Sequence, residues 1–466
     1  MSEHILFLTG KLAEKNLQRV LADMQPTPFS FEVQQIGVNV AALMTGDMIK
    51  RRVTNIGQAN RIIVPGRCRG DLDALTQHFS VPVNRGPDEL KDLPQYFGRA
   101  GHVVDLTRTD VTLFAEIVDA PHCSIEKVLE RARRYRNDGA DVIDIGCLPE
   151  TPFPYLEEMV RALKSEGFMV SVDSMQTEEL LRGGRAGADY LLSLHEGTLG
   201  VLNEVSSIPV LIPQSPGDLD SLMRAIGAVR VLKRPFLADP ILDPIHFGFT
   251  ESLCRYRELR QRCPDVGIMM GVGNLTELTD ADTTGINALL FGVISELRLN
   301  AVLTTEVSTH ARSAVREADA ARRMMFAARE EGSLPKNYSG ALLVNHERRP
   351  FPDSAAEIAE IAAQVKDPNF RIQVSATGIS VYNRDGLQEV TEPFSAWPQL
   401  KLEADASHAF YMGVELARAE IAWQLGKRYT QDEGLHWGAA VEFEEDNLLE
   451  QKAAGTTLSH KMRGLK

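Results

Sequence analysis

The chain has 466 residues and a formal net charge of −14 at neutral pH. This length allows more than one domain, and the negative charge argues against nucleic acid as a partner, because affinity for phosphate backbones comes from clustered Lys and Arg. The sequence has five cysteines without a C-x-x-C pair, no leader and no apolar run of about 20 residues, so we expect reduced thiols, no membrane span and a cytoplasmic location.

Residues 1–100 are predicted to form a small α/β domain of the Rossmann or flavodoxin-like kind. Stretches with a helical pattern separate three apolar runs that predict strands, at residues 5–8, 29–36 and 61–64. The turn that follows the third run contains Arg67 and Arg69. Glycine-rich turns of this kind bind phosphate in some proteins, but no complete nucleotide-binding signature is present. A structural turn is therefore the better interpretation.

Between residues 111 and 305 one unit occurs eight times: a short apolar run that ends at an acidic or small polar residue, followed by a helical stretch. The runs are residues 111–118, 142–145, 169–172, 190–194, 209–212, 236–238, 268–272 and 301–303. Short apolar runs that alternate with helices indicate strands buried on both faces of a parallel sheet. Eight units in this length favour a closed (β/α)8 TIM barrel over an open sheet. We place the barrel at residues 101–332.

In such a barrel the carboxyl ends of the strands form the catalytic mouth. The residues near the ends of the eight runs are therefore candidate site residues: Glu116, Asp119, Asp144, Asp173, Ser193, His195, Gln214, Asp239, Asp243, Asn274, Thr304 and Thr305. An Asp at a strand end is also a common helix N-cap, and capping is an alternative for Asp173, which Ser174 and a helical stretch follow. Asp144 precedes Gly146 and a proline-rich loop, which favours a ligand role.

After Arg329 the pattern changes, and residues 333–466 are predicted to form a C-terminal α+β module. Its predicted strands are residues 341–344, 371–375 and 379–382. A long helix is predicted from His408 to near Gly426. Three charged side chains make this helix too polar to span a bilayer: Glu415, Arg418 and Glu420.

Three barrel segments have the motifs of one enzyme family. Residues 139–146, with the loop that follows, resemble the "GADIIDIGGEST" strand and loop of dihydropteroate synthases and their pterin-binding relatives. Residues 170–174 resemble the strand of this family that ends in "SIDT". Residues 187–193 resemble its "GA…IND" strand, with Ser193 in place of the asparagine. Each fragment alone is a weak signal, but the ordered set is specific.

A fourth motif of the family, "DPGIGF", has two counterparts in this chain. Asp239 ends an apolar run and precedes a proline, whereas the residues that follow Asp243 match the motif more closely. Both therefore remain candidates. The resemblance implies that Asp144, Asp173 and either Asp239 or Asp243 bind and activate a pterin. A pterin presents a ring N–H and an amino group side by side, which one carboxylate can bind together.

Glu116 stands where the family has an asparagine, and we expect it to bind Mg²⁺, which proteins hold through one or two carboxylates together with substrate phosphates. Asp119, Ser193 and Gln214 are further candidate substrate contacts at the strand ends, together with Asp243.

The expected anion site departs from the family pattern. Dihydropteroate synthases carry a lysine in a "GLSRK" motif after the seventh strand and an "R-x-H" motif at the eighth. Here Leu275 stands in place of the lysine. His310 and Arg312 resemble the Arg and His of the R-x-H motif in reverse order. Phosphate sites in barrels are often built after strands seven and eight. We therefore expect Gly273, Asn274, His310, Arg312 and Mg²⁺ to receive an anionic group.

The order of the three domains resembles the dihydropteroate synthase-related family of the methanopterin branch. The resemblance implies a transferase that joins a dihydropterin-methyl diphosphate to an arylamine, a ribofuranosylaminobenzene phosphate, and releases diphosphate in tetrahydromethanopterin biosynthesis. We expect only small-molecule substrates as partners, and a homodimer.

Two alternatives to this transferase remain. Residues 271–274 also resemble a strand of pterin-dependent methyltransferases, which would act with a separate corrinoid protein. The altered anion site leaves open a pterin-binding or assembly protein without catalysis.

Overall fold

The structure is a computed structural model that describes residues 3–88, 90–98, 105–332, 334–336 and 338–442. Both predicted domain boundaries, at 100/101 and 332/333, include residues outside the described ranges. The last part of the predicted C-terminal module, from residue 443, also lies outside them. Within the described residues, no helix is long and apolar enough to cross a membrane.

The N-terminal domain is a four-stranded parallel sheet with strand order β2-β1-β3-β4. Its elements are β1 (His4–Thr9), α1 (Glu14–Asp23), β2 (Ser30–Gln35), α2 (Gly46–Arg52), β3 (Arg61–Val64), α3 (Leu72–Phe79), β4 (Val83–Arg85) and α4 (Leu93–Tyr96). The Thr45 and Asp71 side chains cap α2 and α3 by accepting hydrogen bonds from backbone N–H groups. The predicted α/β fold of this domain is confirmed.

The middle of the chain forms the closed barrel of eight parallel strands that the sequence predicts. Its elements are β5 (Thr112–Ile117), α5 (Ile125–Asn137), β6 (Val142–Gly146), α6 (Leu156–Ser165), β7 (Met169–Asp173), α7 (Thr177–Ala186), β8 (Tyr190–Leu194), β9 (Ile208–Leu211), α8 (Leu219–Val231), β10 (Leu237–Ala238), α9 (Phe249–Arg262), β11 (Gly267–Gly271), α10 (Gly273–Thr276), α11 (Thr283–Glu296), β12 (Ala301–Thr305) and α12 (Ala314–Glu330). The barrel closes where β12 pairs with β5. Between β8 and β9 a 3-10 turn, Leu199–Asn203, replaces the expected helix.

Alternation along the strands divides the barrel side chains between two cores. The interior contains one cluster of buried apolar side chains: Phe114, Val142, Leu192, Val210, Met269 and Ala301. The intervening residues, such as Ile143 and Val172, pack outward against the helices. Because alternate residues of a strand share a face, the residue two positions after an interior side chain also faces the interior, closer to the mouth.

The C-terminal module contains a three-stranded antiparallel sheet. Its elements are α13 (Ala355–Ala362), β13 (Arg371–Val374), β14 (Ile379–Asn383), β15 (Gly386–Val390), α14 (Trp397–Leu400) and α15 (Ala406–Leu425). The predicted strand at residues 341–344 is wrong. This segment is a turn in which Leu342 packs against the barrel core and Ala341 O accepts a hydrogen bond of 2.7 Å from Ala439 N.

The described residues divide into two units. The N-terminal domain and residues 345–436 form one unit, within which Arg428 Nη1 lies 3.0 Å from Asp92 Oδ2. The barrel, the described residues that follow it as far as Val344, and residues 437–442 form the other.

Candidate functional site

Three carboxylates lie side by side at the carboxyl ends of β5, β6 and β7. In the strand register, Glu116 is opposite Asp144, and Gly146 is opposite Asp173. Asp144 follows the interior residue Val142 by two positions and therefore faces the barrel interior. One oxygen of each carboxylate lies within 4.8 Å of the others. The fold thus brings together three residues that the sequence predicts, and we call them the carboxylate triad.

Asp144 is the most deeply buried member of the triad, with no exposed surface. Its Oδ1 atom accepts a hydrogen bond from the Ser171 hydroxyl. Its Oδ2 atom has no hydrogen-bond partner among the described residues. Because an unpartnered buried oxygen costs free energy, this atom is suited to accept a hydrogen bond from a ligand or to bind a cation.

Asp173 is held by a hydrogen bond rather than used as a helix cap. The Ser193 hydroxyl donates to its Oδ1 atom over 2.5 Å, from a backbone with the left-handed φ of 68°. The N-cap of α7 is Gln176, and no side chain caps this helix. The capping alternative for Asp173 is therefore wrong, and Ser193 positions the carboxylate.

The structure distinguishes the two candidates for the fourth motif. Asp243 forms an ion pair with Arg255 on α9, with 2.5 Å between Oδ2 and Nη2. Asp239 instead accepts hydrogen bonds from the Tyr256 hydroxyl at 2.5 Å and from the Ile241 N–H at 2.7 Å. Its carboxylate also interacts electrostatically with Asp173. Asp239 therefore belongs to the same mouth as the triad, whereas the Asp243 carboxylate is paired with a helix.

Burial makes these carboxylates hard to ionise. It raises the pKa of Glu116 to about 8, with further contributions from the charges of Asp173 and Glu277. The pKa of Asp144 lies well above its ordinary value, mainly because of burial and further because of the charges of Asp173 and Glu116. Burial also raises the pKa of Asp173 and brings the pKa of Asp239 to about 6. A ligand that donates hydrogen bonds or carries positive charge would favour the ionised forms.

The triad also fits a divalent cation. Hard cations prefer carboxylate oxygens, and the unpartnered Oδ2 atom of Asp144 is one such oxygen. Glu116 lies against Gly146, where an added Cβ would approach Glu116 Oε1 to 2.8 Å. A side chain at residue 146 would therefore displace the Glu116 carboxylate, and the glycine leaves it room.

Three predicted contacts lie in loops around the mouth. Asp119 is exposed and forms an ion pair of 2.5 Å with Arg131 on α5. Gln214 is exposed after β9, and its side-chain oxygen lies beside Gly197. The Nδ1 atom of His195 accepts a hydrogen bond of 3.1 Å from Gly197 N. None of the three has a hydrogen bond or ion pair with the triad among the residues described.

Strand alternation separates Thr304 from Thr305. Thr304 follows Val302, which packs outward, so Thr304 faces the helices and not the mouth. The Thr305 hydroxyl donates to the Glu116 carbonyl over 3.4 Å. An added Cβ at Gly273 would approach the Thr305 methyl group to 3.2 Å, so Gly273 permits close packing of this loop.

The residues predicted to receive an anion lie after β11 and β12. Asn274 Nδ2 donates to the Leu242 carbonyl over 2.7 Å, and His310 Nε2 lies 3.0 Å from the Thr276 carbonyl. Arg312 is exposed and has no hydrogen-bond or ion-pair partner in the described part of the chain. Arg312 is therefore the member of this set that is available to a negatively charged ligand.

Sequence reasoning missed three residues of the site: Ser171, Tyr256 and Glu277. Ser171 lies two positions before Asp173 on β7, so strand alternation alone indicates that it shares the interior face. Glu277 follows α10 in the loop where the anion was expected, and its charge contributes to the pKa of Glu116. Tyr256 lies on α9, and no motif in the sequence indicates its hydrogen bond to Asp239.

Several known proteins are similar to parts or to most of this chain. Residues 3–88 match the model of a family of unknown function (DUF6513). The chain is 26% identical to an uncharacterized protein of Methanocaldococcus jannaschii, over 92% of this chain and 98% of that protein. A Yersinia pestis dihydropteroate synthase solved with a pterin–sulfa conjugate is 17% identical, and the match covers 48% of this chain and 96% of that one with a TM-score of 0.37. A dihydropteroate synthase of Xanthomonas albilineans is also 17% identical, and the match covers 51% of this chain and 97% of that one with a TM-score of 0.38.

Proposed function

We propose that the barrel mouth binds a reduced pterin and transfers it from a dihydropterin-methyl diphosphate to an arylamine. The observation that carries this proposal is the fully buried Asp144, whose Oδ2 atom has no partner, beside Asp173 and Glu116. A pterin offers adjacent N–H donors that would satisfy these oxygens. Hydrogen bonds to a charged group contribute roughly 1.5–3 kcal/mol each.

The reaction would break the bond between the methylene carbon and the diphosphate oxygen and form a bond from that carbon to the arylamine nitrogen. Positive charge develops on the dihydropterin as the diphosphate leaves with the bonding electron pair. Ionised Asp144, Asp173 and Asp239 would stabilise this charge, because fixed charges lower the barrier when they match the transition state. The arylamine nitrogen then loses a proton to water. Its attack depends mainly on position.

The departing diphosphate needs positive charge nearby. A bound Mg²⁺, held by Glu116, would supply neutralising charge to the diphosphate. Arg312 is the exposed cation in the loop after β12. We therefore assign Arg312 to the diphosphate and the carboxylates to the pterin ring.

The finer parts of the proposal rest on the resemblance of the sequence. They are the use of a ribofuranosylaminobenzene phosphate as the arylamine and a place in tetrahydromethanopterin biosynthesis. The cytoplasmic location and the homodimer remain expectations from the sequence.

Methyl transfer from a reduced pterin to a separate corrinoid protein is the second candidate function. The observation that favours it is the Glu277 carboxylate, which lies in the loop region where a diphosphate would be bound. Methyl transfer needs no diphosphate site. Both functions use the same pterin-binding carboxylates.

Diphosphate release tests the first function directly. The protein would be incubated with Mg²⁺ and dihydropterin-methyl diphosphate, alone and with either 4-aminobenzoate or the ribofuranosylaminobenzene phosphate. We expect release that depends on the arylamine and is faster with the phosphorylated one. Binding of the pterin without release would contradict the transferase. An Asp265→Asn variant, altered only in an exposed ion pair with Arg230 on α8, should retain the wild-type rate.

A further inference from the structure

Two neighbouring backbone N–H groups after β12 bind one carboxylate of the same chain. Val307 N lies 2.9 Å from Glu277 Oε1, and Ser308 N lies 2.7 Å from Glu277 Oε2. Successive N–H groups that converge on one anion form the type of receptor that also binds phosphate. The loops after β11 and β12 are where barrels commonly bind phosphate. Glu277 therefore occupies an anion receptor in the expected place.

Glu277 adds a further carboxylate near the carboxylate triad. The Glu277 carboxylate interacts electrostatically with Glu116, a member of that triad. Glu277 has no ion pair with Lys or Arg in the described part of the chain. Like charges repel, and among the described residues the two backbone N–H groups are the hydrogen-bond donors that hold this carboxylate.

The same loop also contains a cation that Glu277 does not use. Arg312 follows Ser308 by four positions in the sequence, is exposed, and has no ion-pair partner among the described residues. An incoming diphosphate would thus find two N–H donors held by a displaceable carboxylate and a guanidinium nearby in sequence. A diphosphate carries more negative charge than one carboxylate and can compete for both N–H groups.

We propose that Glu277 is an internal competitor that occupies the diphosphate position of the empty site. This inference rests on the proposed transferase function and identifies a residue that determines anion specificity. When a diphosphate-bearing substrate enters, Glu277 releases the N–H groups of Val307 and Ser308. When the reaction is complete, the carboxylate returns and displaces the diphosphate product. Competition of this kind weakens the binding of free diphosphate and phosphate.

A glutamine substitution tests the competition, because it removes the charge and keeps the size of the side chain. Inorganic diphosphate with Mg²⁺ would be titrated into wild type, Glu277→Gln and the matched control Glu258→Gln, whose glutamate pairs with Arg262 on α9. We expect the affinity for diphosphate to rise roughly tenfold, a difference of about 1.4 kcal/mol, only in Glu277→Gln. An unchanged or weaker affinity would overturn the proposal.

A second measurement covers the case in which Glu277→Gln loosens the loop. In the wild-type protein, the amide NMR signals of Val307 and Ser308 should shift as diphosphate and Mg²⁺ are added, because their hydrogen-bond partner changes. If both signals stay in place at saturating diphosphate, Glu277 is not displaced. Titration with the free dihydropterin alcohol separates the proposed transferase function from the proposed role of Glu277. Failure of the alcohol to bind would contradict the proposed function, whereas the diphosphate experiments decide the role of Glu277.

Discussion

Asp144 shows how a single residue can be placed from sequence while its partners cannot. The apolar run and the proline-rich loop after it locate Asp144 at a strand end, and alternation with Val142 turns it inward. The hydrogen bond from Ser171 and the unpartnered Oδ2 atom depend on the register between β6 and β7. That register is a property of the closed barrel and not of any one strand.

Replacing Asp144 with asparagine should stabilise the empty protein. The substitution removes a carboxyl whose pKa is raised by burial and by two neighbouring carboxylates, and the new amide can donate to Asp173 or Glu116. The gain in stability should be larger at pH 8 than at pH 5, because the buried carboxyl destabilises the fold only at pH values at which it would ionise in the unfolded chain. Thermal unfolding should show a Tm increase of roughly 2–4 °C per kcal/mol gained. A lower Tm at pH 8 would contradict this account.

Arg312 should discriminate between charged and uncharged pterins. Arg312→Ala removes the exposed cation after β12, so the diphosphate substrate should lose at least about tenfold in affinity while the free pterin alcohol loses little. Calorimetry with both ligands measures the difference. Equal affinities in mutant and wild type would place Arg312 outside the site, and equal losses for both ligands would indicate a folding defect.

At the scale of strands and helices, the apolar runs of the barrel were predictable, whereas the strands β4 and β15 were not. All eight barrel strands overlap their predicted runs, because a strand buried on both faces must be apolar throughout. β4 has only three residues and β15 is largely exposed, so neither has a clear apolar pattern. The segment at 341–344 is apolar because Leu342 packs on the barrel core, although it is a turn.

The loop between β10 and α9 gives a test of the two aspartates that the sequence leaves open. Asp239 shares the mouth with the triad, whereas Asp243 is paired with Arg255. Asp239→Asn should therefore weaken dihydropterin binding by about tenfold or more, since a bond to a charged acceptor is lost. Asp243→Asn should change the affinity less than about twofold. The reverse order in a pterin titration would transfer the ligand role to Asp243.

At the scale of the whole molecule, the empty protein should become less stable as the pH rises. When folding raises the pKa of a carboxyl, the carboxyl stabilises the fold at pH values below its pKa in the unfolded chain. This stability is lost as the pH rises through its pKa in the folded protein. Burial raises the pKa of Glu116 to about 8, of Glu306 to about 7 and of Asp239 to about 6. The free energy of unfolding should therefore fall between pH 5 and pH 8.

Urea unfolding at a series of pH values measures this dependence. Saturating pterin or Mg²⁺ should reduce the slope, because either ligand stabilises the ionised carboxylates. A stability that is constant or rises between pH 5 and pH 8 would show that these carboxyls are ionised in the empty protein.

The central claim is that the carboxylate triad binds a pterin, and calorimetric titration of a dihydropterin alcohol tests it most directly. The ligand would be titrated into wild type, Asp144→Ala, Asp173→Ala and the control Asp265→Ala, whose aspartate is exposed and pairs with Arg230. We predict binding to wild type and to the control, and a loss of at least ~2 kcal/mol, or about thirtyfold, in each triad variant whose fold is intact. Equal affinity in all four proteins, or no binding to wild type, would contradict the claim.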